Sequence, residues 1–84
     1  MSVRPIRWSE HARLDIRRLD RDTALRIFAA LHRFAEKGEG DIRKLKDQEG
    51  ELRLRVGDYR LRFTEEPDGT LHIHTVRHRG EAYR

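Results

Sequence analysis

Residues 51–63, "ELRLRVGDYRLRF", alternate apolar and charged side chains on both sides of the pair Gly57-Asp58, and they limit the possible folds more than any other stretch. Period-two alternation predicts two strands, and a Gly/Asp pair between them predicts a two-residue hairpin turn. With that turn Val56 faces Tyr59, Leu54 faces Leu61 and Leu52 faces Phe63, so one side of the hairpin is apolar throughout. A slip of one residue would turn every side chain over, and the apolar match therefore specifies the register.

The same register sets Arg55 against Arg60 and Arg53 against Arg62 on the other side. Like charges directly opposed destabilise a sheet by a few tenths to about 1 kcal/mol per pair. Antiparallel sheets do turn a polar face to water, and arginine stems cover apolar surface well. A mixture of lysine and glutamate would solvate such a face without the repulsion. An anionic ligand accounts better for the arginines, whose planar forks suit phosphate. A looser register for "TLHIHTV" adds His72 beside Arg62 and His74 beside Arg60, with Glu51 the only acid near that face.

Flanking segments supply what the hairpin packs against. "VRPIRW", residues 3–8, reads as a first strand whose Pro5 suits an edge or a strand start. Ser9 is an N-cap for a helix carrying Ala12, Ile16 and Leu19, with Leu14 off the stripe. Asp20 or Asp22 caps a second helix, whose Ala24, Ile27, Phe28, Leu31 and Phe34 give the clearest helical periodicity in the chain. "KGEG" ends it, and "DIRKLKDQEG" reads as a connecting loop. Strands are predicted at 51–56, 59–65 and 70–77, the last two joined through "EPDG". The order β-α-α-β-β-β predicts one α+β domain over residues 1–84, with both helices on one face of a small, mainly antiparallel, four-stranded sheet.

With 84 residues, such a domain buries only about 60 to 65% of its unfolded surface. The chain has no cysteine, which excludes disulfides and thiolate metal sites and suits a reducing compartment. No apolar run is long enough for a membrane span or a signal peptide, so a cytoplasmic location is expected. Lysine and arginine number 19 against 15 acids, a formal charge of +4. That makes polyanions plausible partners, while segregation of charge by face carries more information than the total.

The tail "TVRHRGEAYR" brings Arg77, His78, Arg79, Glu81, Tyr83 and Arg84 to one end of the basic face. These side-chain types can cleave RNA. A 2′-hydroxyl attacking the adjacent phosphate needs a proton acceptor, cations for the dianionic transition state and a proton donor for the leaving 5′-oxygen. His78 has the intrinsic pKa for proton transfer, whereas Tyr83 needs its own lowered by neighbouring arginines. His72, His74 and His78 could in principle hold a metal, but adjacent arginines disfavour a cation. Ser9 with His11 reads as a helix start, His32 as surface, and Trp8 and Phe28 as core.

Two motifs and the order of elements together resemble a known family. "IRKLKDQEGELRLRVGDYRLRF" followed by "VRHRGEAYR", with "WSEHARLDIRRLD" at the first helix, resembles the RelE/ParE toxin superfamily of bacterial type II toxin-antitoxin systems, in its RelE-like branch. The resemblance implies a metal-independent, ribosome-dependent messenger RNA endoribonuclease (an mRNA interferase) that needs no cofactor. It implies as partners the ribosomal A site, the message and a cognate antitoxin protein. By motif position it places Arg60 on the scissile phosphate, assigns Arg53 and Arg79 to charge stabilisation or leaving-group protonation, and gives Tyr83 base stacking or proton transfer. Glu51 stands where some relatives carry a basic residue, and Gly80 where a basic residue is frequent. Glu51, His78 and Tyr83 remain alternatives for the general base. Arg55, Arg62, His72, His74, Arg77, Lys44 and Lys46 are then expected to bind RNA, Arg55 and Arg62 alternatively meeting the antitoxin. Other readings are a ParE-like toxin that poisons DNA gyrase, and an inactive relative that binds RNA or antitoxin.

Overall fold

The computed structural model describes residues 3–44 and 50–82. Its elements are β1 (Ile6–Trp8), α1 (Glu10–Arg17), α2 (Arg21–Lys37), β2 (Asp41–Lys44), β3 (Glu51–Val56), β4 (Tyr59–Glu65), β5 (Leu71–His78) and α3 (Arg79–Ala82). Among the described residues the strands form one sheet in the order β1-β5-β4-β3-β2, in which only the β1–β5 pair is parallel.

Capping chemistry fixes the helices where their sequences place them. The Ser9 hydroxyl accepts the Ala12 N–H at 3.0 Å and donates to the His74 carbonyl at 2.9 Å, so one side chain both starts α1 and ties it to β5. Asp20 caps α2 by accepting from the Thr23 N–H at 3.3 Å and the Thr23 hydroxyl at 2.5 Å. Those two bonds hold the Asp20 carboxyl below its ordinary pKa, the hydroxyl contributing most. Gly38 closes α2 at φ 71°, a left-handed conformation in which its N–H reaches the Phe34 carbonyl at 2.8 Å.

The core lies between the helices and one face of the sheet. Ala12 from α1 and Ile27, Leu31, Phe34 and Ala35 from α2 meet Leu54, Leu61, Phe63, Leu71, Ile73 and Val76 from the strands. Phe34 and Phe63 join the layers edge to face, with ring centroids 5.5 Å apart. Phe28 departs from its expected place in this core. It lies 42% exposed on the flank of α2, edge-on to half-buried Trp8 at 5.5 Å.

The sheet has five strands rather than the expected four, because residues 41–44 of the "DIRK" stretch form β2 instead of a loop. Ile42 opposite Leu54 extends the apolar row by one strand, while Asp41 and Arg43 alternate to the other face. The hairpin register is as read from the sequence, with Leu52↔Phe63, Leu54↔Leu61, Arg53↔Arg62 and Arg55↔Arg60. The next pairing differs. Arg60 faces Arg77, Arg62 faces Thr75 and Thr64 faces His72, so neither histidine lies directly beside the arginine expected for it. A bulge is the physical reason: the register shifts between Arg62 and Phe63 and leaves His74 as the extra residue.

Candidate nucleic-acid face

Strand alternation sorts the polar side chains into rows across the face turned away from the helices. The first row runs Asp41, Arg55, Arg60, Arg77, and the second Arg43, Arg53, Arg62, Thr75. A third row runs Glu51, Thr64, His72, Arg7. Successive rows lie about 7 Å apart, two residues along a strand. Besides Glu51, the acids Asp41 and Glu66 also reach this face, because β2 and the Arg7–Glu66 ion pair bring them there.

Arg43, Arg53, Arg55, Arg60 and Asp41 surround a cavity of about 60 Å³ on the first two rows. Four arginines and one carboxylate line this small hollow, a lining whose formal charge favours an anion. Arg55 is held in place by donating from Nε to the Gly57 carbonyl at 3.3 Å. Arg62 donates to the Glu51 carboxylate at 2.6 Å, and only 18% of the Glu51 side chain is exposed. A larger hollow of about 650 Å³ between β1 and α2 is lined by Ile6, Trp8, Leu25 and Phe28 together with His32, Arg33, Glu36 and Lys37, and it shares no residue with the arginine cavity.

Arg77 belongs to a chain of contacts that ends inside the protein. Its Nη2 lies 3.0 Å from His11 Nε2, and that nitrogen lies 3.6 Å from Asp15 Oδ2. Asp15, buried on α1, accepts the Val76 N–H at 2.9 Å. The sequence pattern marks neither Arg43 nor Asp15 as part of this face, and it marks His11 only as part of a helix start. The signal for Asp15 was a carboxylate inside the apolar stripe between Ala12 and Ile16, four residues after a histidine.

The tail residues divide between the two faces. The Arg79 N–H donates to the Asp58 carbonyl at 2.6 Å and fastens the end of β5 to the β3–β4 turn, beside the first arginine row. His78 faces Tyr59 in the register, with ring centroids 5.1 Å apart. Tyr59 alternates with the buried Leu61 and Phe63, so His78 lies on the helix side and not among the arginines. Its Nδ1 accepts the Gly80 N–H at 3.2 Å, which leaves the proton of a neutral ring on Nε2. Such a nitrogen donates a proton rather than accepting one. Lys44 faces Leu52, also on the helix side, while Lys46 and Tyr83 lie outside the described residues.

His72 and His74 stand together on the open face, their ring centroids 4.3 Å apart and tilted by 54°. Thr64 Oγ1 lies 2.9 Å from His74 Nε2, and Arg7 Nη2 lies 3.4 Å from His72 Nδ1. Burial, then the neighbouring His74 and Arg7, push the His72 pKa below 6.5, with Glu66 opposing. Among the described residues, no three histidine or carboxylate groups are placed to hold a metal ion.

Comparison with known proteins agrees with this fold. The model of a family described as the ParE toxin of the type II toxin-antitoxin system, parDE, matches residues 6–83. Among solved structures, a RelB-RelE antitoxin-toxin complex from Methanococcus jannaschii is similar, with TM-score 0.79 and 22% identity over 92% of this chain and 94% of that one. An archaeal RelE-RelB complex from Pyrococcus horikoshii OT3 also gives TM-score 0.79, at 17% identity over 94% and 98% of the two chains. The RelBE2 toxin-antitoxin complex from Mycobacterium tuberculosis gives 0.62 at 27% identity, over 93% and 100%. No curated protein matches the chain. Since the family model spans nearly all of the sequence, the chain belongs to the ParE toxin family of type II toxin-antitoxin systems, within the RelE/ParE superfamily.

Proposed function

We propose that this toxin cuts ribosome-bound messenger RNA by attack of a 2′-hydroxyl on the adjacent phosphate, without a metal, and so inhibits translation. The observation that carries the reading is the cavity bounded by Arg43, Arg53, Arg55 and Arg60. It offers preorganised donors where negative charge develops in phosphodiester cleavage, and each such donor can contribute about 10²–10³ in rate. A metal cation is disfavoured by the same guanidinium charges.

In the reaction, a base removes the 2′-hydroxyl proton, the 2′-oxygen bonds to phosphorus, and the bond to the 5′-oxygen breaks. A 2′,3′-cyclic phosphate remains on one fragment, and the departing 5′-oxygen gains a proton. Arg60 and Arg53 stabilise the extra charge on the phosphate. Glu51 is the better base, because it shares the arginine face two residues before Arg53, whereas His78 lies on the other side. Arg79, fixed beside the first row, protonates or stabilises the leaving oxygen, with Tyr83 as the alternative donor. Arg55, Arg62 and Arg77 grip the flanking backbone.

The similar solved structures are toxins bound to their antitoxins. By the same likeness this chain binds a cognate antitoxin, whose acidic side chains would neutralise the arginine rows, in the cytoplasm where ribosomes are found. Among the described residues, no helix is long and apolar enough to cross a membrane.

The family description favours a second reading, a toxin that poisons DNA gyrase without a reaction of its own. Rates of cutting on purified translating ribosomes separate the two. Arg60→Ala should lower the rate by about two to three orders of magnitude with the fold intact. A wild-type chain that leaves message whole but accumulates gyrase-linked DNA breaks is the gyrase toxin.

A further inference from the structure

The open face is not uniformly basic. Among the described residues of its first two rows the only carboxylate is Asp41, beside Arg43, Arg53, Arg55, Arg60 and Arg77, with Arg62 bonded to Glu51 of the third row. At the third row the charges cancel in pairs: Glu51 bonds to Arg62 of the second row, and Arg7 bonds to Glu66. Between those two ion pairs stand the imidazoles of His72 and His74 in mutual contact. One end of the face therefore concentrates positive charge, and the other presents flat rings with the charge cancelled.

From this division we infer that the His72–His74 pair is a nucleobase subsite for single-stranded RNA, receiving the base of the nucleotide next to the phosphate that lies in the arginine cavity. The inference rests on the RNA reading above and names the contact that reading leaves open. Unstacked bases are held on aromatic faces, histidine included, and by hydrogen bonds to their edges.

The fold has built the pair with some care. His74 is the extra residue of the bulge in β5, and bulges commonly re-aim a side chain next to a functional site. Its ring is fixed through Nε2 by the Thr64 hydroxyl, and that of His72 lies between Arg7 and Glu66. Burial keeps His72 biased to the neutral form, which stacks without adding repulsion to the arginines. Distance also fits. From β3 to β5 is two strand spacings, about 10 Å, and from the second row to the third about 7 Å, so the backbone of Arg53 lies about 12 Å from that of the rings, a span for neighbouring nucleotides rather than for one.

Equilibrium binding of two probes tests this: a short 2′-O-methyl RNA strand, which cannot be cleaved by its own 2′-oxygen, and the same backbone without bases. Wild type should prefer the base-bearing strand by at least about fivefold, the lower end of stacking on one aromatic platform. Replacing both histidines by leucine should abolish that preference while the salt dependence of binding, set by phosphate contacts, stays the same. Replacing both by phenylalanine should retain it, and Thr64→Val, a milder change, should reduce it. Equal binding of the two probes by wild type overturns the subsite, as does an undiminished preference in the leucine variant. A preference that stands while ribosome-bound message is left uncut removes the nuclease reading alone. Cutting without any histidine-dependent preference removes the subsite alone.

Discussion

The carboxylate of Asp15 accepts the backbone N–H of Val76 at 2.9 Å, joining the middle of α1 to β5. Strand β1 pairs with β5 only as far as Ile73, so beyond that point the outer edge of β5 has no neighbouring strand among the described residues. A side chain from α1 supplies the missing acceptor. Asp15→Ala leaves that buried donor without a partner and should destabilise the chain by about 1–3 kcal/mol, whereas Asp15→Asn, which keeps a carbonyl oxygen, should cost less. Urea denaturation measures both, with the slope against denaturant unchanged if only stability is altered.

Ser9→Ala removes two bonds at once, the cap on Ala12 and the link to the His74 carbonyl. A loss of about 1–2 kcal/mol is expected, at the upper end for N-caps. Because His74 is tied to the same hydroxyl through its carbonyl, the variant should also weaken the base preference of the folded chain.

Acid should destabilise the fold through His72. Its pKa in the folded chain lies below 6.5, so the unfolded chain binds more protons between that depressed value and 6.5. Stability from this group is therefore present above 6.5 and is lost as pH falls through the window. His72→Phe removes the titration, and its denaturation midpoint should fall less over the same range. An equal fall in both chains would assign the acid sensitivity elsewhere.

Arg43 lies on the rim of the arginine cavity, on a strand that the sequence did not announce. As a phosphate contact, its replacement by alanine should weaken RNA binding similarly for all sequences and lower the salt slope by about one. Titration at several salt concentrations distinguishes this from loss of a base contact.

Particular residues show why some of this was legible in the sequence and some was not. The Gly57-Asp58 turn leaves one register for six consecutive cross-strand pairs, and apolar matching across it removes the alternatives. "EPDG" imposes no such constraint, and a bulge adds a residue that periodicity cannot announce, so His72 and His74 were displaced from the arginines expected beside them. In "DIRK" a single apolar residue, Ile42, marks the buried side, too little to show a strand. His78 was assigned to the basic end because it adjoins Arg77 and Arg79 in sequence, although adjacent strand residues point to opposite faces. The relay from Asp15 to Arg77 depends on α1 docking across β5, which only the tertiary fold provides.

Mapping the 5′ ends of cellular messages after induced expression, with wild type and Arg60→Ala compared at matched levels of folded protein, separates message cutting from other causes of growth arrest. A toxin that cuts ribosome-bound message gives new 5′ ends within translated reading frames for wild type, nearly absent in Arg60→Ala and absent where translation is blocked. Messages left intact by a wild-type chain that still arrests growth, or the same cuts made by Arg60→Ala, would contradict the nuclease reading.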